Sequence, residues 1–421
     1  MKYCIFILSF LCSNLNAQDT IYARKIINEL CGAKYKGRGY VGAGDKKAAN
    51  FIQKQFKQIG LKKVEGSYVQ KFQFPINTFP KTVEVKYNGK LLSAGIDYVI
   101  NAGCKTIQAT YFGNLTTAQS LNDSSYYDKY GYKQGSIIID TFTKKYMPEA
   151  FVTNQKIMGD FKKEIIIKLT NDKLTWTADY QVDNNCIITL KSSVFDRNKP
   201  GNFEISIKNK FFDRYTSQNI LGMVEGTEKK DSFVFLTAHY DHLGMMGKTA
   251  MFPGANDNAS GIAMMINLAK YFKANPPRYS IIFIAFGAEE VGLIGSKYYV
   301  EQPIVPLAKI EFLINIDLMG NGADGVMAVN GSLFKSQFDV LSKINSQNNY
   351  LPSVKLRGKA ANSDHYWFSE ARVPCFFFYL MGPYPYYHDV NDKAAAVSLT
   401  NFSNAFLLFK DFMIALQNNP E

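Results

Sequence analysis

Phe233-Val-Phe-Leu-Thr-Ala-His239-Tyr-Asp241-His242-Leu-Gly244 decides the fold, together with Ser280-Ile-Ile-Phe-Ile-Ala-Phe-Gly-Ala-Glu289-Glu290 downstream. Each opens on a short apolar stretch, of a length suited to a buried strand, that ends abruptly in side chains able to hold a metal ion. Between them lie the turn-rich Pro253-Gly-Ala-Asn-Asp257-Asn258-Ala-Ser-Gly261 and an amphipathic run from Ile262 to Phe272. Strand, acidic loop, helix, strand and acidic pair predict an α/β fold with its site at the carboxyl ends of parallel strands.

Outward from this centre the alternation continues. Strands are predicted at Val234 to Ala238, Ile281 to Phe286, Phe312 to Asp317, Val326 to Asn330 and Cys375 to Leu380. Helices fit Ala259 to Lys273, Phe334 to Ser346 and Asn401 to Leu416. Towards the start, Thr20 to Lys57 has helical spacing, with Ile21, Ile26, Ile27 and Leu30 on one face and Ala48, Phe51, Ile52 and Phe56 on another. The glycine-rich Lys36-Gly-Arg38-Gly-Tyr-Val-Gly-Ala-Gly44 between them follows no strand and lacks a Gly-Lys-Ser/Thr ending, so it reads as a structural turn, not a phosphate cradle. Ser67 to Phe74 has strand character, and Val83 to Leu92 is a hairpin turning at Asn88-Gly89.

From Cys104 to Phe212 short strand-like pieces alternate with polar loops, and all four histidines lie downstream. The fold class expected is therefore a mixed, largely parallel central sheet flanked by helices, with an inserted β-rich domain. The division is 1–17 signal, 18–103 first part of the main domain, 104–212 insert and 213–421 the remainder with the site.

The start, Met1-Lys2-Tyr3, leads into the apolar Cys4 to Cys12 and then Ala17-Gln18, the pattern of a secretory signal cleaved after Ala17. The apolar run is shorter than the roughly 20 residues that span a bilayer, so the expected location is periplasmic or extracellular, with no membrane span in the mature chain. The formal charge of +12 comes from scattered lysines and arginines without a recognition motif, which argues against a nucleic-acid partner. Cys31, Cys104, Cys186 and Cys375 remain after cleavage, irregularly spaced and without Cys-x-x-Cys pairs, and read as four buried free thiols.

The candidate ligands fall at strand ends: His239 and Asp241, Asp257 on the next loop, Glu289 and Glu290, Asp317, and His388 after the last strand. A single His or Asp there is usually a hydrogen-bonded structural residue, and a lone Glu-Glu pair is usually a solvated helix start. Recurrence at three successive strand ends points instead to a site. Nitrogen and carboxylate ligands without thiolate suit zinc or a similar divalent ion. Two ions need two terminal sets and a bridging carboxylate, and one more carboxylate can accept a proton from the attacking water.

His239-Tyr-Asp241, Asn256-Asp257-Asn258-Ala-Ser-Gly261, Glu289-Glu290-Val-Gly-Leu-Ile-Gly295-Ser296, Asn315-Ile-Asp317-Leu-Met-Gly320, Ser363-Asp364-His365-Tyr-Trp-Phe368 and Tyr387-His388 resemble the di-zinc exopeptidase family of aminopeptidase Y and glutamate carboxypeptidase. Tyr132 to Asp140 resembles part of the protease-associated domain that many members carry. The resemblance implies a zinc aminopeptidase acting on peptide N-termini with two zinc ions. Asp257 would bridge them, with His239 and Asp317 completing one set and Glu290 and His388 the other. It also implies Asp241 orienting His239, Glu289 as general base, Tyr387 as oxyanion donor, His365 in the substrate pocket, His242 as a structural neighbour, and a cis bond between Asp257 and Asn258. The loop Asp389-Val-Asn-Asp392-Lys393 departs from the family's usual Thr-Pro and Asp-Thr. Competing readings are a carboxypeptidase, which needs a basic cluster for the substrate carboxylate; glutaminyl cyclase, whose members lack the first histidine that His239 supplies; and a non-catalytic ectodomain, which lost ligands would mark.

Overall fold

Tyr279–Phe286 is buried at every position, as a strand covered on both faces must be. It lies inside one of two eight-stranded sheets, the main sheet. The computed structural model describes residues 20–116, 137–140, 165–196 and 201–418; the expected signal, 1–17, lies outside them.

In chain order, helices α1 (Thr20–Leu30) and α2 (Gly44–Ile59) precede strand β1 (Val69–Thr78). Next come β2 (Val83–Tyr87), β3 (Lys90–Leu91), β4 (Tyr98–Ile100), β5 (Ile107–Thr116), β6 (Ile137–Asp140), β7 (Ile165–Thr170), β8 (Cys186–Lys191) and β9 (Gly201–Ile207). Then follow β10 (Lys210–Val224), β11 (Lys229–His239), β12 (Gly244–Met246), β13 (Ala250–Phe252), α3 (Ser260–Ala274), β14 (Tyr279–Phe286) and α4 (Ile294–Glu301). The chain continues through β15 (Ile310–Asp317), β16 (Gly325–Val329), α5 (Lys335–Asn348), β17 (Val354–Arg357), α6 (His365–Glu370), β18 (Cys375–Met381) and α7 (Phe402–Asn418).

The main sheet runs β1-β10-β14-β11-β15-β18-β16-β17. β11 pairs in parallel with β14 on one side and β15 on the other, and β15 pairs in parallel with β18. The outer pairs β1–β10, β10–β14 and β16–β18 are antiparallel, so the sheet is mixed, with helices against it. Helix α3 packs its apolar face among residues of α1, α2, α7 and the sheet, in one continuous core. α2 ends at Gly60, whose φ of 83° is the left-handed conformation that closes a helix cheaply.

The second sheet runs β3-β2-β9-β5-β6-β7-β8-β4. It begins at Val83, upstream of the expected insert boundary at Cys104, because the hairpin strand β2 pairs with β9 more than a hundred residues later. A composition shift does not register such long-range pairing. Its core is shared with the main domain: Phe79, Leu243, Met246 and Phe252 pack with Trp176, Tyr98 and Ile188.

The reading of four free thiols is corrected. β4 lies beside β8, which brings Cys104 and Cys186 to a Cα–Cα distance of 4.6 Å, and they form a disulfide. Cys375 is a buried free thiol, and Cys31 is free but only partly buried. The long strand β10 and the helices α4 and α6 were not predicted from periodicity. Among the described residues no helix is long and apolar enough to cross a membrane.

Candidate metal centre

The chain leaves β11, crosses through α3 to β14 on one side, and later returns as β15 on the other. Loops at the carboxyl ends of these strands therefore diverge and leave a crevice above β11. The register sets His239 opposite Phe286, so Glu289 and Glu290 emerge beside His239, while Thr237 opposite Asn315 brings Asp317 to the same edge. Asp257 stands in the turn that leads into α3, and His388 in the loop after β18. Ala288, Leu318 and His388 all have left-handed backbone, at φ of 59°, 55° and 56°, a conformation non-glycine residues hold only when their surroundings enforce it.

These segments bring all five expected ligands together. Asp257 Oδ1 lies 3.3 Å from His239 Nε2, and Asp257 Oδ2 lies 3.3 Å from His388 Nε2. His239 Nε2 is also 3.2 Å from Asp317 Oδ2, and His388 Nε2 is 3.2 Å from Glu290 Oε2. Two donors at zinc-like bond lengths on adjacent tetrahedral corners stand about 3.3 Å apart, so the spacing fits a cation better than tight hydrogen bonds. Asp257 Oδ1 is buried without a hydrogen-bond partner among the described residues, which a bridging carboxylate would explain. His239 Nδ1 is 3.2 Å from the Asp241 carbonyl, the contact that fixes Nδ1–H and turns the Nε2 lone pair towards the site. Glu289 belongs to the same cluster: its carboxylate, His239 and Asp317 offer ligand atoms within 4.8 Å of one another. The peptide bond between Asp257 and Asn258 is cis.

A surrounding set of hydrogen bonds holds these groups. The Asp241 carboxylate lies 3.9 Å from His239 Nδ1 and instead accepts from the Glu289 amide at 3.1 Å, the Glu290 amide at 3.4 Å and the Tyr40 hydroxyl at 3.0 Å. It is the Asp241 carbonyl that orients His239, and the carboxylate that anchors the acidic pair. His242 Nδ1 donates to Glu290 Oε1 at 2.6 Å, which leaves Oε2 facing His388. Asp392 accepts from the backbone amides of Asn256 at 2.8 Å and Asp257 at 3.1 Å. Fully buried Arg38 donates to the carbonyls of Tyr240, Pro253, Gly254 and Asp257. The sequence reading missed Arg38, Tyr40 and Asp392; an arginine between two glycines was the available signal, since only a tight backbone turn needs Gly37 at a φ of 63°.

Charge in the site is unbalanced without cations. Burial works against the imidazolium of His239, but the carboxylates of Glu289, Asp317 and Asp257 outweigh it and hold its pKa well above the ordinary range. Burial likewise opposes His388⁺, yet Glu290 and Asp257 raise its pKa to about 11. Burial and Asp257 work to raise Glu290, and His388 and His242 reverse this to about 2. Burial first, then the carboxylates of Asp364, Glu290 and Asp317, push Glu289 well above the usual range. Histidines are being asked to neutralise carboxylates that a divalent ion neutralises better.

Two expected residues stand differently. Tyr387 is 48% exposed, its ring stacked on His388 with centroids 3.9 Å apart, and burial of its phenol together with the nearby carboxylates of Asp257 and Glu290 raises its pKa. His365 is fully buried with its ring 5.2 Å from that of Phe377.

Residues 219–413 match the model of peptidase family M28. Aminopeptidase YwaD of Bacillus subtilis (strain 168) is 32% identical over 212 residues, covering 48% of this chain and 45% of that protein. A probable zinc metalloprotease of Leptosphaeria maculans is 34% identical over 105 residues, 24% of each chain. The matched segment thus spans less than half the length of either curated relative. Among solved structures, a zinc aminopeptidase from Bacillus subtilis superimposes with a TM-score of 0.70 at 22% identity, over 94% of this chain and 95% of that one. An aminopeptidase from Aneurinibacillus sp. strain AM-1 gives 0.68 at 19% identity, over 96% and 95%. At these identities the likeness is one of fold, and it covers both sheets.

Proposed function

From the match of residues 219–413 to peptidase family M28, we propose that the chain is a zinc aminopeptidase releasing N-terminal residues from peptides. The observation that carries the proposal is Asp257, whose two oxygens each stand 3.3 Å from a different histidine Nε2. His239 and Asp317 with Asp257 would hold one zinc, and Glu290 and His388 with Asp257 the other. Zinc in such a site supplies Lewis-acid polarisation of the scissile carbonyl and acidifies water.

The chain's own residues then have distinct tasks. Glu289, anchored through its amide by Asp241, accepts the proton of the attacking water and delivers it to the leaving amine nitrogen. Tyr387 presents its hydroxyl to the oxygen that gains charge. Export belongs to the same proposal: residues 1–17 have the signal pattern, and the Cys104–Cys186 disulfide suits an oxidising compartment. The second sheet is proposed as an inserted, protease-associated-like domain.

The test is hydrolysis of chromogenic aminoacyl substrates, with N-blocked and C-terminal analogues alongside. Cleavage of the free-amine substrate that stops in chelator and returns with zinc is expected. Cleavage only of the C-terminal analogue, or chelator-insensitive cleavage, contradicts the proposal.

A further inference from the structure

Residues 173–176, between β7 and β8 of the second sheet, reach across to the loop that carries His388. The Trp176 amide donates to the His388 carbonyl at 3.2 Å, and Lys173 Nζ donates to the Tyr387 carbonyl at 2.6 Å. The Trp176 indole is 5% exposed, and its N–H donates to the Ile100 carbonyl at 2.8 Å, which fixes it to the second sheet. Its ring stacks on Phe252 with centroids 4.9 Å apart. Phe252 ends β13 and leads through Pro253 and Gly254 into the turn that bears Asp257. One residue beside the second sheet therefore meets the segments of two ligands, its backbone amide holding the His388 loop and its indole, fixed to Ile100 and Phe252, setting where that amide stands; His388 and Asp257 face each other across 3.3 Å. His388 is the ligand on left-handed backbone outside the strands of the main sheet, so its position depends on external support.

We propose that Trp176, aided by Lys173, is a positioning residue for the His388–Glu290 half of the metal centre, so that the second sheet completes this half of the site rather than merely covering it. The inference rests on the two-ion reading above and adds a dependence of one ion on the second sheet. Supports that act through a ligand typically change metal affinity by roughly 10- to 100-fold when removed.

Zinc affinity is measured by competition with a chromophoric chelator, and cobalt(II) substitution gives a visible spectrum for each site. Trp176→Ala is expected to bind one ion with wild-type affinity and the other roughly 10- to 100-fold more weakly, with altered cobalt absorption at that site alone. Trp176→Phe, which restores an aromatic ring against Phe252, is expected to recover most of the loss. In a His388→Ala background, Trp176→Ala should have no further effect on the remaining ion. If Trp176→Ala fails to fold by circular dichroism, Lys173→Met decides, since it removes an exposed side chain and only the Tyr387 contact; a several-fold weakening of one ion is expected. Two ions at wild-type affinity in a folded Trp176→Ala, or in Lys173→Met where that variant decides, overturn this inference alone. A wild-type protein that binds no divalent ion overturns the proposed function and this inference with it.

Discussion

Replacing Arg38 by alanine removes the clamp beneath the site, and its effect follows from the hydrogen bonds it leaves open. The guanidinium is fully buried and donates from Nε to Tyr240 O at 2.8 Å and from Nη1 to Pro253 O at 2.6 Å. Nη2 donates to Gly254 O at 2.6 Å and Asp257 O at 3.1 Å, so the four close acceptors are main-chain carbonyls, as is the more distant Leu30 O at 3.5 Å from Nη1. A buried acceptor left without a partner costs about 1–3 kcal/mol. Water entering the vacated space satisfies some of the four, and the lost desolvation penalty of a buried cation offsets part of the rest. The expected destabilisation is about 3–5 kcal/mol. It is read from urea unfolding followed by circular dichroism, with an unchanged denaturant slope. Tyr240 sits between His239 and Asp241, and Asp257 is gripped directly, so zinc affinity is expected to fall too. Arg38→Lys recovers less than half, because one ammonium cannot serve four carbonyls spread around a planar fork. A loss below about 1 kcal/mol for Arg38→Ala, or full recovery by lysine, refutes the clamp.

The acidic pair separates by role: Glu289→Gln is expected to keep both zinc ions while turnover falls by on the order of 10² or more, whereas Glu290→Gln loses zinc from one site along with rate. Metal analysis beside kcat checks this, and near-normal turnover in Glu289→Gln would refute the base assignment. Asp45 is buried, accepts from the Tyr215 and Ser217 hydroxyls at 2.6 and 2.9 Å, and has its pKa raised by burial to about 6. A carboxyl raised in the folded state contributes stability that is present below its unfolded pKa and lost as pH rises through about 6. Asp45→Asn should flatten that decline, by up to about 3 kcal/mol between pH 4 and 7. Urea titrations at several pH values that show the same slope for both proteins would contradict it.

Most of the main sheet was legible because its parallel strands are continuous apolar runs that stop at ligands. Val234 to Ala238 and Ile281 to Phe286 needed only length and apolarity to be read. β10 was not, since its first half from Lys210 is largely exposed and its second half buried, which matches neither a simple alternation nor a continuous run. Of the five proposed ligands, His239 and Asp317 could be read because they end strands, and Asp257, Glu290 and His388 through motifs resembling a known family, whereas Arg38, Asp392 and Trp176 act across chain separations that no local pattern encodes. Cys104 and Cys186 are a similar case: 82 residues apart, they meet only because β4 and β8 are neighbours. Asp241 was singled out with His239 at the end of the first strand and given its role by the family resemblance, but only the geometry assigns its carboxylate to the amides of Glu289 and Glu290.

Anomalous diffraction at the zinc edge from crystals of the zinc-loaded protein tests the two-metal centre most directly. Two peaks are expected, one among His239, Asp257 and Asp317 and the other among Asp257, Glu290 and His388. A single peak, or zinc bound away from Asp257, would contradict it.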